Sequence, residues 1–200
     1  REEYLRGIYG ELPEYKKVVL YAPTFRDYGP TRLFPFEDFD QTAFENFLEQ
    51  NKMLLFIRTH IKEKSAAQAY LTERVRYLGE EAAEDVTGVL GIFDLLVTDY
   101  SSIYIDYLLT EKPLIFLPYD KEKYLKGRGM NFDYDEVTPG PKPGTMKEFL
   151  WELEALTEGK DAFKEERERV NRLFNQVIGP CCEDICSKVL KKAKELEKGN

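Results

Sequence analysis

Metal-binding side chains are scarce in this sequence. There is one histidine, His60, and the three cysteines, Cys181, Cys182 and Cys186, share one short stretch far from it. That is not a zinc pattern, and no acidic cluster with metal spacing stands out, so no metal site and no cofactor are expected. The plainer reading is reduced cysteines packed on a helix in a cytosolic protein. No apolar run is long enough to cross a membrane, and no basic-then-apolar segment stands at the start. Basic charge is also in deficit: 29 Lys and Arg against 37 Asp and Glu, a net charge of -8. Neutralising phosphates along a duplex needs basic surface, so nucleic acid is not an expected partner.

Several phosphate and nucleophile motifs are missing too. There is no G-x-G-x-x-G, no G-x-x-x-x-G-K-[ST] and no G-x-S-x-G, which argues against a dinucleotide fold, a P-loop and a hydrolase elbow. A phospho-accepting receiver domain needs paired acids after its first strand, where this chain has Ala22-Pro23-Thr24. The chain opens on Arg1-Glu2 without an initiator methionine, and it is expected to be a piece of a longer protein.

What is present describes an α/β protein. At 200 residues, 42% hydrophobic, the chain can bury a core of its own. Short apolar runs at 18–22, 53–58, 75–78, 94–98 and 114–117 read as strands, stopped by Pro23, Pro118 or polar turns. Helical periods run between them: 40–50, a piece from a Ser65 cap to about Leu71, 86–93 and 103–110. A Gly/Pro-rich loop spans 127–144, and three helices follow at about 145–158, 160–175 and 182–197. Continuously apolar strands alternating with helices imply a doubly wound parallel sheet covered on both faces. Residues 1–200 are expected to form one Rossmann-like domain.

In open α/β sheets, ligands bind beyond the carboxyl ends of the strands. There the fourth strand gives Thr98-Asp99-Tyr100-Ser101-Ser102, and a helix begins at Ile103. Unpaired N–H groups and the partial positive charge of a helix start suit a phosphate, and two serine hydroxyls add donors. Read alone, Asp99 or Ser101 is merely a helix cap. Asp106 lies four residues after Ser102, on the same helix face, and can accept from ribose hydroxyls; its plainer role is an exposed helix acid. His60, past the end of the second strand, can donate to a phosphate or move a proton, though a lone histidine is more often structural. Arg26, after the first strand, has the fork geometry that suits phosphate, against a plainer surface ion pair with Asp27 or another acid. Lys126-Gly127-Arg128-Gly129 offers further cations, Arg128 among them.

Leu20-Tyr21-Ala22-Pro23-Thr24-Phe25-Arg26-Asp27, Arg58-Thr59-His60, Thr98-Asp99-Tyr100-Ser101-Ser102 with Asp106-Tyr107, and Arg128-Gly129 through Pro139-Gly140-Pro141 together resemble the CDP-glycerol glycerophosphotransferase family, the teichoic acid primases and polymerases. The resemblance spans about Lys17 to Ile185. It implies a GT-B architecture of two Rossmann-like domains, of which this chain is similar to the C-terminal, CDP-binding one. It implies transfer of glycerol phosphate, or ribitol phosphate in some relatives, from a CDP-alditol to a polymer or lipid-linked acceptor, with release of CMP. It also implies work at the inner face of the bacterial membrane by a peripheral, cytoplasmic enzyme. By the same resemblance His60 is catalytic and faces the donor phosphates, Arg26, Ser101, Ser102 and Arg128 bind them, and Asp106 holds ribose. The family takes its general base from a histidine of the N-terminal domain, which this chain lacks. The isolated domain is therefore expected to be inactive by itself. Competing readings are a sugar-nucleotide glycosyltransferase or epimerase relative, and a non-catalytic nucleotide-binding module.

Overall fold

The computed structural model describes residues 1–177, 179 and 181–197; residues 198–200 of the expected domain lie outside them. The order of elements is α1 (Glu2–Tyr9), β1 (Lys17–Tyr21), α2 (Gln41–Gln50), β2 (Met53–Ile57), α3 (Lys64–Gln68), β3 (Val75–Tyr77), β4 (Leu95–Thr98), α4 (Ile103–Tyr107), β5 (Leu114–Phe116), α5 (Lys121–Gly127), α6 (Tyr134–Val137), α7 (Met146–Thr157), α8 (Lys164–Phe174) and α9 (Cys182–Glu197). Short 3₁₀ turns cover Ile61–Glu63, Val86–Ile92 and Leu108–Thr110.

The five strands form one sheet in the order β3-β2-β1-β4-β5, and every pairing is parallel. Side chains alternate across a strand, so each apolar run feeds two cores. Val19, Tyr21, Leu55, Ile57, Val97 and Ile115 face one layer, where Phe34, Phe44 and Phe149 join them. Val18, Leu20, Leu54, Phe56, Leu96 and Phe116 face the other, against Leu5, Phe93, Tyr107 and Val170. Helices α2 and α7 thus cover one face, and α1, α4 and α8 the other. All five residues of β2 are buried, which is why that strand has no polar side. Burying a Phe or Leu side chain contributes about 1.5–3 kcal/mol, so these two layers dominate the favourable terms.

Local chemistry sets several helix starts. The Asp40 carboxylate accepts from the Ala43 N–H at 2.8 Å and opens α2. Thr145 and Glu148 form a reciprocal capping box at α7. The expected Ser65 cap is not used: α3 starts at Lys64, directly after the 3₁₀ turn and without a side-chain cap, and His60 caps that turn, its Nδ1 accepting from the Lys62 N–H. The expected 127–144 loop contains α6, and the helix from Ile103 ends at Tyr107 before a 3₁₀ turn. Helix α1 has no counterpart in the sequence reading.

The C-terminal helices part company. Phe149, Leu153 and Leu156 press α7 onto the sheet, and Val170 does the same for α8. Helix α9 leaves Ile185, Val189, Leu190 and Leu196 exposed. Cys182 and Cys186 are exposed with them, so the expectation of packed cysteines fails for these two: residues 182–196 of α9 are all exposed. Among the described residues no helix is long and apolar enough to cross a membrane.

At the outer edge of β5, residues 138–141 lie close against the strand. The Phe116 N–H donates to the Pro141 carbonyl at 3.0 Å. A Cβ on Gly140 would stand 2.4 Å from the Leu114 carbonyl oxygen, so only glycine allows this approach.

Candidate functional site

The carboxyl ends of β1, β2 and β4 open into a cleft of about 430 Å³. Ser101, Ser102, His60 and Asp106, read from the sequence as site residues, all line it. Parallel strands put their ends on one sheet edge, and the order places β2 and β4 on either side of β1, so side chains far apart in sequence converge.

Ser101 and Ser102 stand at the start of α4. The Ile103 N–H reaches back to Ser101 Oγ at 3.4 Å, while Ser102 makes no side-chain cap. The Ser102 hydroxyl therefore remains available. Asp106 is exposed on the same helix, its buried neighbours Tyr104 and Tyr107 fixing which face of α4 turns outward. The His60 ring packs on Phe25, with centroids 4.9 Å apart. Because Nδ1 accepts from Lys62, the neutral ring carries its proton on Nε2 and offers a donor there.

Arg26 does not belong to the cleft. It is 2% exposed, and four of its five N–H donors are engaged: Nε donates to Asp120 at 2.9 Å, Nη1 to the Thr24 carbonyl at 2.6 Å, and Nη2 to Asp99 at 2.8 Å and Asp120 at 3.0 Å. The rings of Tyr100, Tyr119 and Tyr124 lie about it. The expected phosphate contact is corrected to a buried ion-pair cluster, because two carboxylates already compensate the charge. Arg128 is also absent from the cleft lining; its Nε donates to Asp27 at 2.7 Å, one of the acids weighed as an alternative partner for Arg26.

The cluster has its own electrostatics. Burial pushes the Asp120 carboxyl up, but hydrogen bonds from Arg26, Tyr28 and Tyr100 and the Arg26 charge outweigh it and hold it below the usual range. Burial and the bond to Asp120 push the Tyr28 phenol up to about 12.

Three lining residues were not singled out in the sequence. Thr24 and Phe25 form the wall after β1. Arg58 lines the cleft from the end of β2, and its Nη1 donates to the carbonyls of Gly79 at 3.0 Å and Ala83 at 2.7 Å. It thereby ties down the loop that brings Glu80 to the cleft. Arg58 stood in the Arg58-Thr59-His60 motif but was given no role of its own there.

A parallel sheet with a polar cleft of this kind serves many activities, so relatives must narrow it. Residues 3–189 match the profile of the CDP-Glycerol:Poly(glycerophosphate) glycerophosphotransferase family. The chain belongs to that family. It is 33% identical over 168 residues to the teichoic acid glycerol-phosphate primase of Bacillus spizizenii, covering 82% of this chain and 41% of the primase. It is 28% identical over 191 residues to the teichoic acid poly(ribitol-phosphate) polymerase of the same organism, covering 94% of this chain and 30% of the polymerase. In three dimensions it is similar to the wall teichoic acid polymerase TagF, with a TM-score of 0.70 and 26% identity, over 100% of this chain and 48% of TagF. TagF has also been solved after soaking with CDPG. The chain thus spans less than half the length of these relatives. The sheet topology and this likeness give an α/β, Rossmann-like fold.

Proposed function

We propose that this chain is the CDP-binding portion of a two-domain GT-B glycerophosphotransferase, the C-terminal half by resemblance. The reading rests on one observation above others: Ser101, Ser102, His60 and Asp106 line a single cleft at the sheet's carboxyl edge. The donor is CDP-glycerol or a related CDP-alditol. Its diphosphate sits against the two serines and the first N–H groups of α4, and its ribose against Asp106. His60 donates from Nε2 to a phosphate oxygen and stabilises charge as the acceptor hydroxyl attacks in line and CMP leaves. The general base and the acceptor site come from a partner domain, and the acceptor is a growing teichoic-acid-type polymer or its lipid-linked primer. The parent enzyme works at the inner face of the cell membrane.

Calorimetry with CDP-glycerol, CDP, UDP and GDP tests this. The two cytidine ligands are expected to bind and the others to bind at least tenfold more weakly. Equal binding of UDP points to a sugar-nucleotide enzyme, and no binding of any nucleotide points to a non-catalytic module. Incubated alone with CDP-glycerol, the chain is expected to release no CMP above the uncatalysed rate.

A further inference from the structure

Asp99 lies outside the cleft, yet its carboxylate is bonded to both walls. Oδ1 accepts from the backbone N–H of Thr24 at 2.8 Å and from the Thr24 hydroxyl at 2.7 Å. The same oxygen accepts from the Tyr100 N–H at 2.6 Å. Thr24 belongs to the wall after β1, and Tyr100 immediately precedes Ser101 and Ser102 on the wall after β4. Oδ2 accepts from Arg26, whose side chain is 0% exposed against 2% for that of Asp99. The Asp99 carbonyl accepts from the Tyr134 hydroxyl at 2.9 Å, so the main chain is held as well.

The carboxylate accepts three protein donors on Oδ1 and one on Oδ2. With its side chain 2% exposed, Asp99 is turned to the protein and not to a ligand. Its bonds go to segments that meet only in the fold, and each segment delivers a group to the cleft. Arg26 stabilises the buried charge and is itself braced by Asp120 on the loop after β5. A single rigid centre therefore spans the ends of β1, β4 and β5 behind the cleft.

We propose that Asp99 is a positioning residue: held by Arg26, it sets the spacing between the Thr24 wall and the Ser101–Ser102 seat so that both meet one diphosphate. The proposal rests on the nucleotide reading of the cleft. Donors aimed at an anion are effective only when held close to their productive geometry, and surrounding hydrogen bonds do the holding.

The test is a double-mutant cycle on CDP-glycerol affinity, measured by calorimetry on the full chain, with amide hydrogen exchange recorded without ligand. Thr24→Ala removes one bond to Asp99 and is expected to weaken binding about fivefold, the scale of one hydrogen bond. Thr24→Ser keeps the hydroxyl and should restore affinity to within about twofold. Asp99→Asn keeps an acceptor for Thr24 but turns an amide N–H toward Arg26, and should weaken binding about thirtyfold. The double variant should be little worse than Asp99→Asn, because both changes break one device. In Thr24→Ala the N–H groups of Ser101, Ser102 and Ile103 should exchange faster, although the substitution lies on the opposite wall. If Asp99→Asn does not fold, the two Thr24 variants and the exchange data decide. Additive effects, or a Thr24→Ala variant with unchanged affinity and unchanged exchange at 101–103, overturn the proposal. If the unsubstituted chain binds no CDP-glycerol while exchange still couples the walls, the nucleotide reading falls and the coupling through Asp99 stands.

Discussion

Two polar clusters sit at the same sheet edge and differ in burial and in how fully their polar groups are paired. One gathers Arg26, Asp99, Asp120, Tyr28 and Tyr100 in a buried knot whose donors and acceptors are matched. The other gathers Ser101, Ser102, His60 and Asp106 around an open cleft, with the Ser102 hydroxyl and the His60 Nε2 free of protein partners among the described residues. A buried guanidinium paired with two carboxylates is closed to a ligand, whatever its residue type promises. The groups left open are the ones that recognise something else. The difference separates stability from binding, and substitutions should divide along the same line.

Arg26→Met should produce the largest effect. It leaves Asp99 and Asp120 without their cation, and removing one partner of a buried pair costs about 3–5 kcal/mol. Urea unfolding would show it; a loss under about 1 kcal/mol would mean that the cluster relaxes freely, and the contrast with the cleft would go with it. Ser102→Ala should do the reverse. Its unfolding midpoint should hold, while CDP affinity falls by about 1–2 kcal/mol, the scale of one hydrogen bond to a charged group. A midpoint that moves while affinity holds would assign Ser102 to the fold.

Asp106→Asn should be milder and selective. Affinity for CMP should fall several-fold, about 1 kcal/mol, while CMP lacking its ribose hydroxyls loses less. Equal losses for both would make Asp106 an ordinary helix acid.

The smallest effect is a pH dependence of the knot alone. The folded Asp120 pKa is depressed, so its contribution is present above the unfolded carboxyl value near pH 4 and is lost as pH falls through the folded value. The Tyr28 pKa is raised to about 12, so its contribution is full below about pH 10 and is lost as pH rises through 12. Stability against pH should therefore drop on both flanks. Arg26→Met should flatten the acid flank, because the Arg26 bond and charge are what lower the Asp120 value, and should leave the alkaline flank in place, because Arg26 lowers the Tyr28 value rather than raising it. An unchanged acid flank in that variant would place the titrating group elsewhere.

Four of the five strands were legible because they are largely apolar on both faces, a pattern that survives without knowledge of the fold; β3 carries Arg76 on one face. The cleft residues were legible because strand ends and helix starts are local features. The Arg26 knot was not, since its partner Asp120 lies far along the chain and nothing near residue 26 announces it. Nor was the His60 cap, because imidazole is not among the usual capping side chains. Arg58 was hidden for a similar reason: its acceptors are backbone carbonyls, which carry no sequence signature.

The close approach at Gly140 bears on how this chain meets other chains. An outermost strand is a template on which a foreign strand can add, the first step toward aggregation. Residues 138–141 already occupy that template along β5, held by the bond from Phe116. Gly140→Ala would set a methyl against the Leu114 carbonyl and lift the covering strip away. Light scattering on mild heating should then rise faster than in the parent chain, even where the nucleotide cleft is untouched.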